Sequence, residues 1–81
     1  MMQEYKFTAY FENEVLRKRV YLKKEWCIRV IENPLRIDVQ GDTRVRFWGN
    51  VEEHGNRIFR VVTLSHRLTI HNAFPDRGFK E

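Results

Sequence analysis

The chain has 81 residues, of which 42% are hydrophobic, 14% aromatic and 32% charged. This composition predicts one domain over residues 1–81 with a small core, and it argues against disorder along the whole chain. Fifteen basic residues against eleven acidic ones give a net charge of +4, which favours acidic partners. A single cysteine excludes an internal disulfide framework. With a mean hydropathy of −0.61, no long apolar run and no signal-peptide pattern, we expect no membrane segment and a cytoplasmic protein.

The first third of the chain predicts two short helices. Phe7, Tyr10, Phe11 and Val15 follow the spacing of one helix face, and Thr8 is the candidate cap. The basic segment RKRVYLKK contains the turn, and the proline of EWCIRVIENP ends the second helix, because proline disfavours helical angles in the residue before it. The two helices are predicted at about 8–20 and about 23–32.

Four strands follow, since apolar and polar residues alternate with a period of two. The segments are LRIDVQ, RVRFWGNVE, RIFRVVTL and RLTIHNAF, separated by short turns. Connections of two or three residues make hairpins, so the strands form an antiparallel meander. The predicted fold class is therefore α+β, with two N-terminal helices packed on one face of a four-stranded antiparallel sheet.

The turn lengths also predict which residues lie opposite one another. Short loops place Asp38 opposite Arg46, Asn50 opposite Arg60, and Arg60 opposite His71. One face then collects the apolar side chains that the helices must cover, namely Leu35, Ile37, Val39, Val45, Phe47, Val51, Phe59, Val61, Leu68 and Ile70. The opposite, open face collects Arg36, Asp38, Gln40, Arg44, Arg46, Trp48, Asn50, Arg60, Thr69 and His71.

The open face is rich in arginine and is expected to expose Trp48. Guanidinium groups suit phosphates and an exposed indole stacks on a base. Arg36, Arg44, Arg46 and Trp48 are therefore predicted to bind RNA. The alternative is an ordinary polar face with a local ion pair between Asp38 and Arg46.

His71 is the candidate proton-transfer residue, because histidine titrates near neutral pH and the predicted register sets it against Arg60. In this hypothesis His71 protonates a leaving 5′ oxygen while Arg60 stabilises charge on the phosphate. The alternative is a histidine that is hydrogen-bonded within the sheet. In the tail, Asp76 and Arg77 are placed to fold back onto the end of the sheet, where Arg77 joins the phosphate site or pairs with Asp76. Cys27 is predicted to be a buried, inert thiol.

No spacing of histidine, cysteine and carboxylate residues predicts a metal site, and no motif for a nucleotide cofactor occurs. We therefore expect neither a metal nor another cofactor.

The segments VIENP, RVRFWGNV, RVV and TIHNAFPDR are similar to a group of short bacterial proteins of unknown function, over about residues 7–80. In its layout that group resembles, more distantly, the BrnT and RelE type toxins of toxin–antitoxin pairs. The resemblance implies a microbial ribonuclease-like fold, metal-independent cleavage of messenger RNA on the ribosome, and an antitoxin from a neighbouring gene as partner. It also implies roles for Arg60 and His71 on central strands and for Arg77 after the last strand. The open face departs from the toxins because its only carboxylate is Asp38.

Three functions of different classes fit these residues. The first is a toxin-like, metal-independent endoribonuclease. The second is a non-catalytic RNA-binding module that uses the same face. The third is a small protein-interaction domain whose basic face binds an acidic partner. Cleavage of RNA separates the first from the second, and indifference to RNA identifies the third.

Overall fold

The computed structural model describes residues 4–80. Strand β1 spans Lys6–Phe7, and the first helical segment is π-helical over Phe11–Val15 and continues into the short α1, Leu16–Lys18. Helix α2 spans Lys24–Glu32. The remaining strands are β2 (Arg36–Gln40), β3 (Arg44–Val51), β4 (Arg57–Leu64) and β5 (Thr69–Pro75), with a 3₁₀ turn at Glu52–His54 between β3 and β4.

The predicted α+β class is confirmed, but the sheet has five strands and is mixed. Its order is β1-β5-β4-β3-β2. Strands β2 to β5 pair antiparallel, whereas β1 pairs parallel with β5, with Phe7 beside Ile70. The prediction of four strands missed β1, because two residues are too few to show an alternation of apolar and polar side chains.

Both helical segments lie at the predicted places in the chain, but Phe7, predicted on the face of the first helix, belongs to β1. Thr8 Oγ1 accepts a hydrogen bond from the Phe11 N–H, as a capping side chain does. Phe11 and Val15, one helical turn apart, are buried, and α2 buries Trp26, Cys27 and Val30. Helix α2 ends at Glu32, two residues before Pro34, as expected for a helix that precedes proline.

The core lies between the helical segments and one face of the sheet. Its buried members are Phe11, Val15, Leu22, Trp26, Cys27, Val30, Val45, Phe47, Val51, Phe59, Val61, Ile70 and Ala73. Helix α2 approaches β3 closely at Gly49, where a Cβ atom would lie 3.1 Å from a Val30 methyl group. Glycine at this position therefore lets the helix pack directly on the strand.

The predicted faces are correct for β3 and β4, but two of the three predicted registers are wrong. Asp38 lies opposite Arg46 as predicted. Arg60 lies opposite Trp48 instead of Asn50, because the β3–β4 connection is longer than three residues and includes the 3₁₀ turn. This shift is by two residues, so every side chain keeps its face.

The predicted pairing of Arg60 with His71 is also wrong. The β4–β5 connection is longer than two residues, and a bulge interrupts the pairing at Val62 and Thr63. As a result Arg60 lies opposite Phe74, and His71 is the extra residue of the bulge between Ile70 and Asn72.

The apolar side of β2 is not part of the core, contrary to prediction. Leu35, Ile37 and Val39 are 49%, 43% and 57% exposed. Helix α2 packs mainly on β3 and β4, which leaves these side chains on and beside the edge strand exposed.

Candidate nucleic-acid interface

The open side of the sheet carries Arg36, Arg44, Arg46, Trp48 and Arg60, which we call the arginine face. Trp48 lies opposite Arg36 on β2 and opposite Arg60 on β4. Residues opposite one another in an antiparallel sheet share a face, so these three side chains form one row across three strands.

Trp48 is buried, which overturns the prediction of an exposed indole. Only 6% of it is exposed. The C-terminal tail folds back over the sheet, and the Phe79 ring stacks on the indole with 5.8 Å between the ring centroids. The indole Nε1–H donates a hydrogen bond of 2.9 Å to Asp76 Oδ2. Trp48 is therefore not available to stack on a base while the tail is in place.

The buried indole holds three arginines in position. The guanidinium carbons of Arg36, Arg46 and Arg60 lie 5.6, 5.5 and 5.5 Å from its ring centroid. Contacts in this range are attractive between a cation and the face of an aromatic ring. Trp48 thus organises the charged groups around it.

Two carboxylates neutralise part of this positive charge. Arg60 donates from Nε and Nη2 to Asp76 Oδ2, at 3.2 and 2.9 Å. The hydrogen bond from Trp48, followed by those from Arg60, lowers the pKa of Asp76 below its ordinary value, although burial opposes the shift. Arg46 pairs with Asp38. Within residues 4–80, Arg36 and Arg44 have no carboxylate partner, so the face keeps unneutralised positive charge.

His71 lies beside a different set of groups from those predicted. Its Nδ1 is 3.1 Å from Thr8 Oγ1, and its ring stacks on Tyr10 at 4.9 Å between centroids. Partial burial lowers the pKa of His71, and the positive charge of Arg44 lowers it further. Both effects favour the neutral imidazole, which lies next to Tyr10, whereas Arg60 lies opposite Phe74.

Arg77 does not pair with Asp76, because that carboxylate binds Arg60 and Trp48 and accepts a further hydrogen bond from the Gly78 N–H. Arg77 is exposed instead and lines an open groove of about 480 Å³. The other lining residues are Arg57, Ile58, Pro75, Asp76 and Phe79. The groove lies between the tail and the start of β4, and its two cations are Arg57 and Arg77.

Sequence reasoning placed Asp76 at the end of the sheet but missed Phe79 and Tyr10. Phe79 lies outside the alternating segments, so no periodicity marks it. Tyr10 was predicted on the apolar face of the first helix, but it is 45% exposed and its ring stacks on His71. Cys27 is buried as predicted, and burial raises its pKa to about 12. Across the described residues, 4–80, no three or more histidine, cysteine or acidic residues cluster as metal ligands do, and none of the helices is long and apolar enough to cross a membrane.

No protein-family model, curated protein or solved structure matches this chain.

Proposed function

We propose that this protein binds single-stranded RNA through the arginine face. The observation that carries the proposal is the row of guanidinium groups that Trp48 holds at 5.5–5.6 Å on three neighbouring strands. Guanidinium groups fixed before binding lose less side-chain entropy when they meet phosphates. A structural ion-pair network alone does not account for Arg36 and Arg44, which contact no carboxylate within residues 4–80.

Tyr10 replaces Trp48 as the proposed stacking residue. It is 45% exposed, and one side of its ring already rests on His71. Proteins that bind single strands combine a basic surface with aromatic rings of this kind. The resemblance to toxins that cleave messenger RNA favours RNA over DNA as the polymer.

The test is the salt dependence of binding, measured by fluorescence anisotropy with a short labelled single-stranded RNA. Each lost phosphate contact flattens the slope of log affinity against log salt by about 0.7–1. Arg44→Ala is expected to show that change. Arg17→Ala is the matched control, because Arg17 is an exposed cation on α1 and lies outside the arginine face. Binding that ignores salt between about 50 and 200 mM would refute the proposal and favour a protein partner. Equal changes of the salt slope in Arg44→Ala and Arg17→Ala would also refute the proposal.

A second candidate is a toxin-type endoribonuclease with His71 at its centre, inhibited by an antitoxin protein. The neutral imidazole, tethered to Thr8 and close to Arg44, favours it. In this mechanism His71 removes the proton of an RNA 2′-hydroxyl, and the 2′ oxygen attacks the adjacent phosphorus. The bond to the 5′ oxygen breaks, the imidazolium returns the proton to that oxygen, and a 2′,3′-cyclic phosphate remains. Arg44 faces the charge on the phosphate. His71 thus begins as a base, whereas the sequence predicted an acid.

This candidate predicts RNA cleavage in excess EDTA, with purified protein or with ribosomes present. His71→Ala should lower the rate by about 10²–10⁴, the usual contribution of one proton-transfer group, while RNA affinity stays near wild type. His66→Ala is the matched control, since His66 is an exposed histidine in the turn before β5. If His71→Ala cleaves RNA at the wild-type rate, the catalytic residues lie elsewhere. If the wild type binds RNA but does not cleave it, the protein is a non-catalytic RNA-binding module.

A further inference from the structure

Strand β2 is an exposed edge with an apolar side. It ends the sheet, and its aliphatic residues Ile37 and Val39, together with Leu35 just before the strand, are each more than two-fifths exposed. An edge strand of this kind presents unpaired backbone N–H and C=O groups and is a template for pairing with another strand. In the part of the chain that the structure describes, the opposite edge is β1, which has two residues, so β2 is the longer free edge.

The sequence of β2 is complementary to itself in one antiparallel register. When the pairing is centred on Ile37, that residue meets Ile37 of a second copy, and Leu35 meets Val39 of the second copy. On the other face, Arg36 meets Asp38 of the second copy. Opposite residues share a face, so the aliphatic pairs lie together on the helix side and the two Arg–Asp pairs lie together on the open side.

Neighbouring registers lack this agreement. Centring the pairing on Asp38 sets the two Asp38 carboxylates directly opposite each other, and centring it on Arg36 sets two guanidinium groups opposite each other. Like charges in that position are destabilising. A shift by one residue sets Ile37 opposite Asp38 and mixes apolar with charged side chains on each face.

We propose that two copies of this chain associate through β2, antiparallel and centred on Ile37, to form one continuous sheet. The exposed aliphatic residues of the two copies cover each other. Asp38, already paired with Arg46 of its own chain, gains Arg36 of the second copy. The two-fold axis is perpendicular to the sheet, so both arginine faces lie on the same side. The dimer does not depend on RNA binding.

The first test is the mass of the full chain in solution, by light scattering and sedimentation equilibrium. A dimer has twice the chain mass of 9.9 kDa. Ile37→Lys is expected to give a monomer, with an unchanged far-ultraviolet circular dichroism spectrum. Val20→Lys is the matched control, because Val20 is an aliphatic residue that is 87% exposed in the loop before α2. A monomeric wild type, or a dimer that Ile37→Lys leaves intact, would overturn the proposal.

The second test is a charge exchange that fixes the register. Arg36→Asp alone sets like charges opposite each other and should raise the dimer dissociation constant about tenfold or more. Asp38→Arg alone should do the same. The double variant Arg36→Asp with Asp38→Arg restores opposite charges and should recover the dimer. Failure to recover it, in a protein whose thermal melt shows a folded chain, would refute this register.

A disulfide gives an independent test that does not depend on weakening the dimer. Residues directly opposite in an antiparallel pair have Cα atoms about 4.5–5.5 Å apart, within the range for a disulfide. Ile37→Cys should therefore cross-link to a covalent dimer on mild oxidation, whereas Val20→Cys should not. The native Cys27 does not interfere because it is buried. No cross-linking of Ile37→Cys would count against the two-fold at Ile37.

Discussion

The two faces of this sheet bury aromatic residues by different means. Phe47 on the helix side is 2% exposed and Trp48 on the arginine face is 6% exposed. Phe47 is surrounded by apolar side chains of the core. Trp48 is enclosed by three guanidinium groups, the Asp76 carboxylate and the Phe79 ring.

This difference shows that similar burial can serve different purposes. The hydrophobic effect is non-directional, so the helix side stabilises the fold mainly through the apolar area that it buries. Charge-assisted hydrogen bonds depend on geometry, so the arginine face holds charged groups in fixed positions at the surface. The first arrangement suits a core, whereas the second suits recognition of an anion.

The largest expected effect comes from truncating one ring on each face. Phe47→Ala should lower the free energy of unfolding by about 3–5 kcal/mol, the usual cost of a cavity of that size in a core. Phe79→Ala should cost about 1 kcal/mol, because a half-exposed aromatic contact is worth little more. Urea unfolding followed by circular dichroism measures both. If Phe47→Ala and Phe79→Ala lose the same free energy of unfolding, the tail contributes as much to stability as the core does.

A smaller effect is expected from the carboxylate that fixes the tail. Asp76→Asn should cost about 1.5–3 kcal/mol, because it weakens hydrogen bonds made by a charged group that is only 13% exposed. Asp38→Asn is the matched control on the same face, and at 41% exposure its ion pair should be worth about 1 kcal/mol or less. Because the pKa of Asp76 is lowered, this stability is present above the ordinary aspartate pKa and is lost as pH falls through the folded-state value.

Fluorescence measures the same release of the tail directly. In a Trp26→Phe background, acrylamide should quench Trp48 more strongly in Asp76→Asn than in the parent. Unchanged quenching would show that Phe79 and the arginines cover the indole without the carboxylate.

The sequence predicts the faces of the sheet better than its connections. Alternation fixes which side of β3 and β4 each residue takes, and a two-residue error in the β3–β4 register leaves that assignment intact. At the bulge the register changes by one residue, so the alternation of side chains does not continue through His71. In the turn before β5, Arg67 has a φ of 66°, and nothing in the residue pattern marks either this conformation or the bulge.

The sequence predicts which charged residues share the face of the candidate site, but it does not predict how they and the tail enclose Trp48. Arg36, Arg46 and Arg60 surround Trp48, as their shared face implies. The burial of Trp48 depends on Asp76 and Phe79, which follow the last strand in a segment without periodicity. Long-range contacts of such a tail are set by tertiary packing, which local patterns do not encode.

The smallest expected effect concerns His71, the bulge residue of β5, whose ring contacts Thr8 and Tyr10. Its pKa is lowered, by burial first and by Arg44 second, so below about pH 6.5 the unfolded chain binds more protons at this residue than the folded one. The free energy of unfolding should therefore fall as pH drops below that value, level off below the folded-state pKa, and show no contribution from His71 at higher pH. Proton NMR titration of the imidazole measures the pKa directly. Arg44→Gln should raise it towards the ordinary value, whereas Arg17→Gln, which removes the same charge from α1, should not. A midpoint at or above the ordinary value in the wild type would contradict the prediction, because neither burial nor Arg44 would then disfavour the imidazolium. The imidazole of the ribonuclease candidate would then be protonated in a larger share of the molecules at neutral pH, whereas RNA binding by the arginine face would be unaffected.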